Sequence, residues 1–166
     1  MALGDYLAKD KKTKASLIKF LKGPAILDLY KFMQNKWAPE RYTGAEVTIK
    51  KMLKKSWPGT VIGIQECVTY AALHNEDPLC VETVELLWEI VACLLQKLAL
   101  TLLPGAIYIS GGVSNYLAPF FKSREHIFWK HFLNHNQMRE QVLEHVQVFV
   151  LTENPTLDAL ALNLST

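Results

Sequence analysis

The sequence predicts a helix-rich α/β fold with few strands. Two short runs of β-compatible residues, 106–109 and 146–151, are each followed by turn-forming residues, which favours strands over helices. Elsewhere, apolar residues recur at helical spacing in several separate segments. Since sheets usually contain about four to six strands, we expect the sheet of this chain to be incomplete.

The first part of the chain predicts an exposed lead-in and two helices. Residues 1–15 carry several lysines and few large apolar groups, so we expect them to be exposed. Residues 16–21 form an apolar-periodic run that Gly23 and Pro24 interrupt. Pro24 suits the first turn of a second helix, because an amide hydrogen would have no helical partner there. We expect that helix to end near Trp37.

Two further helices are expected between residues 43 and 73. In residues 43–55 the apolar side chains can share one face, and a solvated face would carry Lys50, Lys51, Lys54 and Lys55. These lysines, close to Trp57, could instead contact RNA, but a solvated helix face is the more common role of such charges. Residues 61–73 fit a strand or a helix, and the Gln65-Glu66 pair favours the helix.

A long helix is predicted from Asp77 and Pro78 to about Leu103. The Asp77 carboxylate can cap the first amides, and Pro78 stands where no amide hydrogen is needed. The polar residues of this helix fall on one narrow stripe, so we expect burial on most sides; they are Glu82, Glu85, Glu89 and Gln96. Charged and polar residues interrupt its apolar stretch too early for a membrane span.

Shorter helices are predicted on either side of the second strand. Residues 116–122 and 125–132 have helical patterning, and a polar helix is expected at residues 137–143. Beyond residue 151, Asn154 and Pro155 turn the chain, and residues 156–162 predict a final amphipathic helix.

Composition excludes several classes of protein. With 166 residues and 50% apolar content, the chain can bury a substantial core. A net charge of +2 gives no argument for nucleic acid or an anionic membrane as partner. Three cysteines without a close pair argue against a disulfide framework and a zinc knuckle. Because the first residues also lack a secretory signal pattern, we expect a cytoplasmic protein.

The glycine pair Gly111 and Gly112 is the strongest candidate for a binding site. It follows residues 106–109, which predict a buried strand, and precedes a segment of helical character. Glycines at the end of a strand mark a tight turn or a close approach of another molecule to the backbone. The pair is therefore either a simple turn or a contact for nucleotide phosphates or ribose.

Three blocks in a fixed order resemble the bacterial-type glucokinases, which have the fold of hexokinase, actin and Hsp70. Residues 20–30 are similar to the family's Leu-Ser-Gly-Pro-Gly block and the helix after it. Residues 107–113 resemble its adenosine motif, a strand that ends in Gly-Gly. The third block, residues 119–122 with the strand at 146–151 and Asn154-Pro155, resembles the run to the last strand and helix. The resemblance extends from about residue 16 to residue 162.

This resemblance implies an incomplete ribonuclease-H-like lobe, with residues 16–166 as the C-terminal, nucleotide-side region of a glucokinase-like domain. Family members transfer the γ-phosphate of ATP, with Mg²⁺, to glucose, chiefly by positioning and charge stabilisation. The implied cofactor-binding residues are Gly111, Gly112, Gly23 and Pro24. No catalytic residue and no metal ligand can be assigned, because the family's catalytic aspartate, its Gly-Gly-Thr phosphate loop and its glucose ligands have no counterpart in this sequence.

The resemblance leaves two functions open. The chain is expected to be part of a glucose kinase that needs an N-terminal half for activity, or a non-catalytic binding module derived from that fold. Departures from the family pattern at Lys22, Ala25 and Gln96 favour the second reading slightly. In either case an uncovered sheet and lobe surface predicts self-association or an N-terminal-half partner.

Two histidines offer a weaker alternative site. His131 and His135 are four residues apart and could share a helix face as metal ligands. No carboxylate stands between them in the metalloprotease pattern, so a metal site is the minor reading. No Ser, His and Asp grouping has the context of a nucleophile elbow, which argues against a hydrolase.

Overall fold

The computed structural model describes residues 25–36, 63–135 and 137–152. Their elements, in chain order, are α1 (Ala25–Lys36), α2 (Ile64–Leu73), α3 (Pro78–Leu102), β1 (Ala106–Ile109), α4 (Gly112–Ser123), α5 (Glu125–Phe132), a 3-10 helix (Leu143–His145) and β2 (Gln147–Val150). Five α-helices and a two-stranded sheet in these ranges confirm the predicted helix-rich α/β class.

Several sequence-based predictions lie outside the described residues. They concern the exposed lead-in at 1–15, the helices at 16–21, 43–55 and 156–162, the lysines at 50–55, and Gly23 with Pro24. The chain divides into two compact units, residues 1–94 and 95–166, and α3 contributes to both.

In the first unit, α1 packs against α2. Apolar residues of α1 recur three and four positions apart, and Leu29, Tyr30 and Met33 are consequently buried on one face. The facing helix α2 buries mostly small side chains, among them Cys67 and Ala71. The segment that fitted either a strand or a helix is a helix, as predicted. Small buried side chains suit the packing of one helix against another.

Helix α3 begins and ends close to the predicted positions. The Oδ1 atom of Asp77 accepts hydrogen bonds from the amides of Leu79 at 2.9 Å and Cys80 at 3.2 Å, which confirms the predicted cap. At the other end Leu103 has a φ of 49°, a left-handed conformation that stops the helix. Of the described helices, none is long and apolar enough to cross a membrane.

In the second unit, β1 and β2 are parallel neighbours. The register pairs Ala106 with Gln147 and Ile109 with Val150, and the chain between the strands forms α4 and α5. Helix α4 lies against β2. Both crossover helices contribute to the core through Leu117, Phe120, Phe128 and Phe132, all of which are buried.

The two faces of this sheet differ, and here the prediction of a buried first strand is wrong. Along β1 the side chains alternate, so Ile107 and Ile109 are half-buried whereas Tyr108 is 64% exposed. Tyr108 stacks on its cross-strand partner Phe149 with ring centroids 5.2 Å apart, and Phe149 is also exposed. An apolar run in the sequence does not reveal that only one of its two faces is covered.

One helix boundary and one whole helix also differ from the prediction. Helix α4 begins at Gly112 rather than at Tyr116, because the glycine turn is complete after a single residue. The helix expected at residues 137–143 is instead a series of turns that leads into the 3-10 helix. There the amides of Leu143 and Glu144 bond to carbonyls five residues back, those of Met138 and Arg139, which widens the turn and ends α-helical geometry.

Candidate functional site

The glycine pair connects β1 to α4 at the carboxyl end of the sheet. Strand β1 ends at Ile109, Gly111 forms the turn, and Gly112 is the first residue of α4. Strand β2, parallel to β1, ends at the same edge with Val150. The crevice outside the carboxyl ends of parallel strands is where α/β proteins usually bind ligands.

Gly111 has a backbone conformation that requires glycine. Its φ of 134° and ψ of 163° lie in a region that is essentially closed to residues with a Cβ atom. The turn therefore reverses the chain from strand to helix within one residue. A simple strand-end turn needs this glycine, whether or not a ligand binds.

Gly112 has an ordinary backbone conformation and open space around it. Among the described residues, a Cβ atom built on Gly112 would have no heavy atom within 4 Å, apart from its own chain neighbours and helix backbone. These contacts therefore do not require a glycine at this position. The vacant space leaves room for another molecule to contact the backbone.

The amino end of α4 presents its amides without a side-chain cap. The N-cap position is Gly111, which has no side chain, and no side chain of the described residues caps the helix. Residues 110–116 carry no acidic or basic side chain. The backbone amides and the positive end of the helix dipole at this terminus favour a negatively charged or strongly polar oxygen.

Two side chains of the first turn of α4 hold the Gly111 carbonyl. The Ser114 hydroxyl donates to it at 2.9 Å, and so does the backbone amide of Asn115, also at 2.9 Å. The Asn115 side-chain amide donates to the same oxygen at 2.9 Å and to the carbonyl of Leu151 at 2.7 Å. Sequence reasoning missed both residues. A Ser-Asn pair in the first turn after Gly-Gly indicates local bonds to the Gly111 carbonyl, but it does not indicate the bond to Leu151.

The remaining predicted site residues are not brought to this edge in the described part of the chain. Gly23 and Pro24 are outside the described residues. His131 belongs to α5, whereas His135 lies beyond the end of that helix, and its Nδ1 atom accepts the amide of Met138 at 3.3 Å. No group of three or more His, Cys, Asp or Glu side chains in the described ranges could hold a metal ion.

Gln96 has a role that the sequence did not indicate. Its side-chain amide donates to the carbonyls of His131 at 3.1 Å and Phe132 at 2.8 Å, the last two residues of α5. Carbonyls in the last turn of a helix lack the usual amide four residues ahead, and the His131 carbonyl also accepts the amide of Asn134 at 3.4 Å. Gln96 thereby joins the last part of α3 to the end of α5 inside the second unit.

Comparison with known proteins identifies the family. The family model described as Glucokinase matches residues 1–164 of the 166. Searches of curated proteins and of solved structures found no match to the chain. The family match covers nearly the whole sequence, and it agrees with a helix-rich α/β chain in which a parallel strand ends in Gly-Gly. The chain therefore belongs to the glucokinase family.

Proposed function

We propose that this chain forms the nucleotide-binding part of a sugar kinase that transfers the γ-phosphate of ATP to glucose. The observation that carries the proposal is the open backbone at Gly112, next to the uncapped amino end of α4. A ribose or phosphate oxygen can approach these amides without displacing a side chain. The family match supports the reaction type, and the open backbone at Gly112 supports this position for the nucleotide.

The catalytic groups of the reaction are not assigned to this chain. Phosphoryl transfer of this kind needs a base for the sugar hydroxyl and donors around the phosphates. Of the two described aspartates, Asp77 is buried and caps α3, whereas Asp28 is exposed in the first turn of α1. Neither is followed by a Gly-Gly-Thr phosphate loop. We propose that the catalytic aspartate and the phosphate loop are contributed by an N-terminal half that has no counterpart among the motifs recognised in this sequence.

The described residues contain no group of three or more His, Cys, Asp or Glu side chains that could hold a metal ion without further ligands. The Mg²⁺ implied by the family would then reach the site on the nucleotide phosphates, and no step of the proposal uses it. The proposal places the protein in the cytoplasm, which is consistent with three thiols that form no disulfide.

Calorimetry with ATP tests the nucleotide site directly. We expect the wild-type chain to bind ATP and Gly112→Val to bind it at least ten times more weakly, because the valine occupies the open approach to the backbone. Gly105→Val is the matched control. Gly105 also has no atom near its Cβ position but precedes β1, at the opposite end of the strand. Equal binding by both variants would contradict the proposed position of the site.

A coupled assay for ADP tests the catalytic part. We expect the chain alone to give no glucose-dependent ADP production, even when it binds ATP. Glucose-dependent turnover by the chain alone would show that the catalytic groups are within it.

A second function, a non-catalytic interaction module, is supported by the exposed sheet face. Parallel sheets are normally covered on both faces, yet Tyr108 and Phe149 form an exposed stacked pair. We propose that this face binds a second copy of the chain or an N-terminal-half partner. If ATP does not bind and the chain still associates through this face, the interaction module is the better reading.

A further inference from the structure

Asn115 occupies a position that links the ends of both strands. It lies in the first turn of α4, and its side-chain amide donates to Gly111, after β1, and to Leu151, after β2. The last backbone bond of the sheet runs from the amide of Leu151 to the carbonyl of Ile109 at 2.9 Å. The Asn115 side chain therefore joins the two chain segments that follow β1 and β2, just beyond the last backbone hydrogen bond of the sheet.

The chemistry of the two acceptors fixes the orientation of the Asn115 amide. Both neighbours are carbonyl oxygens, which only accept hydrogen bonds. With Nδ2 toward them, both distances are hydrogen bonds, 2.9 Å to Gly111 and 2.7 Å to Leu151. The opposite orientation would place three oxygens against one another. Asparagine is the smallest side chain with two hydrogens on one nitrogen, so it can serve both carbonyls at once.

The Gly111 carbonyl is held unusually firmly. It accepts from the Ser114 hydroxyl, from the backbone amide of Asn115 and from the Asn115 side chain, each at 2.9 Å. In a trans peptide the carbonyl and the next amide hydrogen point in opposite directions. Fixing this oxygen therefore fixes the direction of the Gly112 N–H, away from the three donors.

We infer that Asn115 is a positioning residue that aims the Gly112 amide at an oxygen of the bound nucleotide. This inference rests on the proposed function for the identity of the ligand. Without Asn115, the Gly111-Gly112 peptide keeps two of its three hydrogen bonds but loses its connection to β2. Glycines on both sides of that peptide allow it to rotate. The nucleotide must then hold the peptide in place itself, which weakens binding.

Two substitutions at Asn115 and one control test the inference by calorimetry. Asn115→Leu keeps the approximate shape and removes both donors, and Asn115→Asp places a carboxylate against two carbonyl oxygens. We expect ATP binding to weaken roughly ten-fold for Asn115→Leu, the effect of about one lost hydrogen bond, and further for Asn115→Asp. Asn134→Asp, an exposed asparagine beyond α5, introduces the same charge and leaves the dissociation constant unchanged.

The amide resonance of Gly112 in ¹⁵N NMR spectra separates positioning from general support of the fold. Spectra are compared at a temperature where circular dichroism shows every variant fully folded. We expect the Gly112 signal to shift or broaden in both Asn115 variants without ligand, while the signals of Phe128 and Phe132 in the core stay in place. On addition of ATP, the wild-type Gly112 signal shifts, and the shift is reduced in the variants.

The outcomes distinguish this inference from the proposed function. If wild type and both variants bind ATP equally, or the Gly112 signal is the same in all of them, the inference is overturned. If wild type does not bind ATP, the proposed function fails, and the ligand-free Gly112 signal still decides whether Asn115 holds the peptide. If the NMR signals of the core change as much as the Gly112 signal, Asn115 supports the fold in general, and the inference would also be overturned.

Discussion

At the scale of single residues, the two glycines of the site make different demands on the backbone. Gly111 has a φ of 134°, where a Cβ atom is strained whatever the space around it. Gly112 has an ordinary conformation, and no atom of the described residues would contact a Cβ atom there. The fold therefore requires a glycine at position 111, whereas at position 112 a glycine is expected only if another molecule approaches the backbone there, as proposed.

Alanine at each glycine should separate these roles. We expect Gly111→Ala to lower the free energy of unfolding by about 1–3 kcal/mol, the cost of a residue forced into this backbone region. Gly112→Ala should leave it unchanged or raise it by up to about 1 kcal/mol, because the unfolded chain loses freedom and nothing clashes. Urea unfolding followed by circular dichroism measures both. Equal losses for the two variants would contradict the assigned backbone roles.

The buried thiol of Cys80 should make stability depend on pH in the alkaline range. Burial above all, together with the neighbouring Asp77 carboxylate, raises the pKa of Cys80. The unfolded thiol ionises above about pH 8.5 while the folded one does not, so stability is complete below that pH. It should then fall by about 1.4 kcal/mol per pH unit.

Urea unfolding at several pH values between 8 and 10 measures this dependence. Cys80→Ala is the comparison, because it removes the thiol and should remove this part of the slope. The same slope in both proteins would show that other groups cause the alkaline loss of stability.

At the scale of elements, the cap of α3 should be a main source of its stability. Asp77 is only 4% exposed and accepts the amides of Leu79 and Cys80. Asp77→Ala leaves these amides without an acceptor, and we expect a loss of about 1–2 kcal/mol in urea unfolding. Asp77→Asn retains an oxygen in place and should lose clearly less. Equal losses would show that the charge, rather than the cap, stabilises the helix start.

Gln96 should stabilise α5 from outside that helix. Gln96→Ala removes two donors from the carbonyls of His131 and Phe132, and each lost bond costs about 0.5–1.5 kcal/mol. We expect faster hydrogen exchange along α5 and a lower free energy of unfolding. Gln137→Ala, at an exposed glutamine, is the matched control and should change neither. Unchanged exchange in α5 after the Gln96 substitution would contradict this role.

The sequence predicted elements well where local chemistry determines them. Asp77 and Pro78 mark the start of α3, and Gly111 and Gly112 mark the end of β1, whereas the turn predicted at Asn154 and Pro155 lies outside the described residues. It failed where the outcome depends on non-local contacts. The polar segment at 137–143 gave no sign of its wide turns, and the β1 run gave no sign that Tyr108 stays uncovered.

At the scale of the whole molecule, the exposed face of the sheet should control association. Contact with another apolar surface would bury the stacked rings of Tyr108 and Phe149 and would therefore be favourable. We expect the chain to self-associate with rising concentration in analytical ultracentrifugation and Tyr108→Lys to reduce this. Tyr70→Lys, at another exposed tyrosine, on α2, is the control. A wild-type chain that stays monomeric at all concentrations would contradict a role for this face in self-association.

The sequence predicted only part of the candidate site, because one of its contacts joins residues that are far apart in the chain. Gly-Gly after an apolar run indicates a turn at a strand end, and it located Gly111 and Gly112. The side chain of Asn115 also bonds to the carbonyl of Leu151. Leu151 is far away in the sequence and lies beside Asn115 only because β1 and β2 pair. No local pattern contains that relation.

The parallel pairing of β1 and β2 also bears on the order of folding events. Ala106 pairs with Gln147, so each cross-strand pair joins residues 41 positions apart. Local helices such as α4 and α5 form within microseconds, whereas closing a long loop has an entropic cost before any strand bond forms. We therefore expect the crossover helices to appear first and the strands to pair in a later, slower phase. The bond from Asn115 to Leu151 can exist only after that phase. If the proposed site binds a nucleotide, its binding competence would therefore be among the last properties that the folding chain acquires.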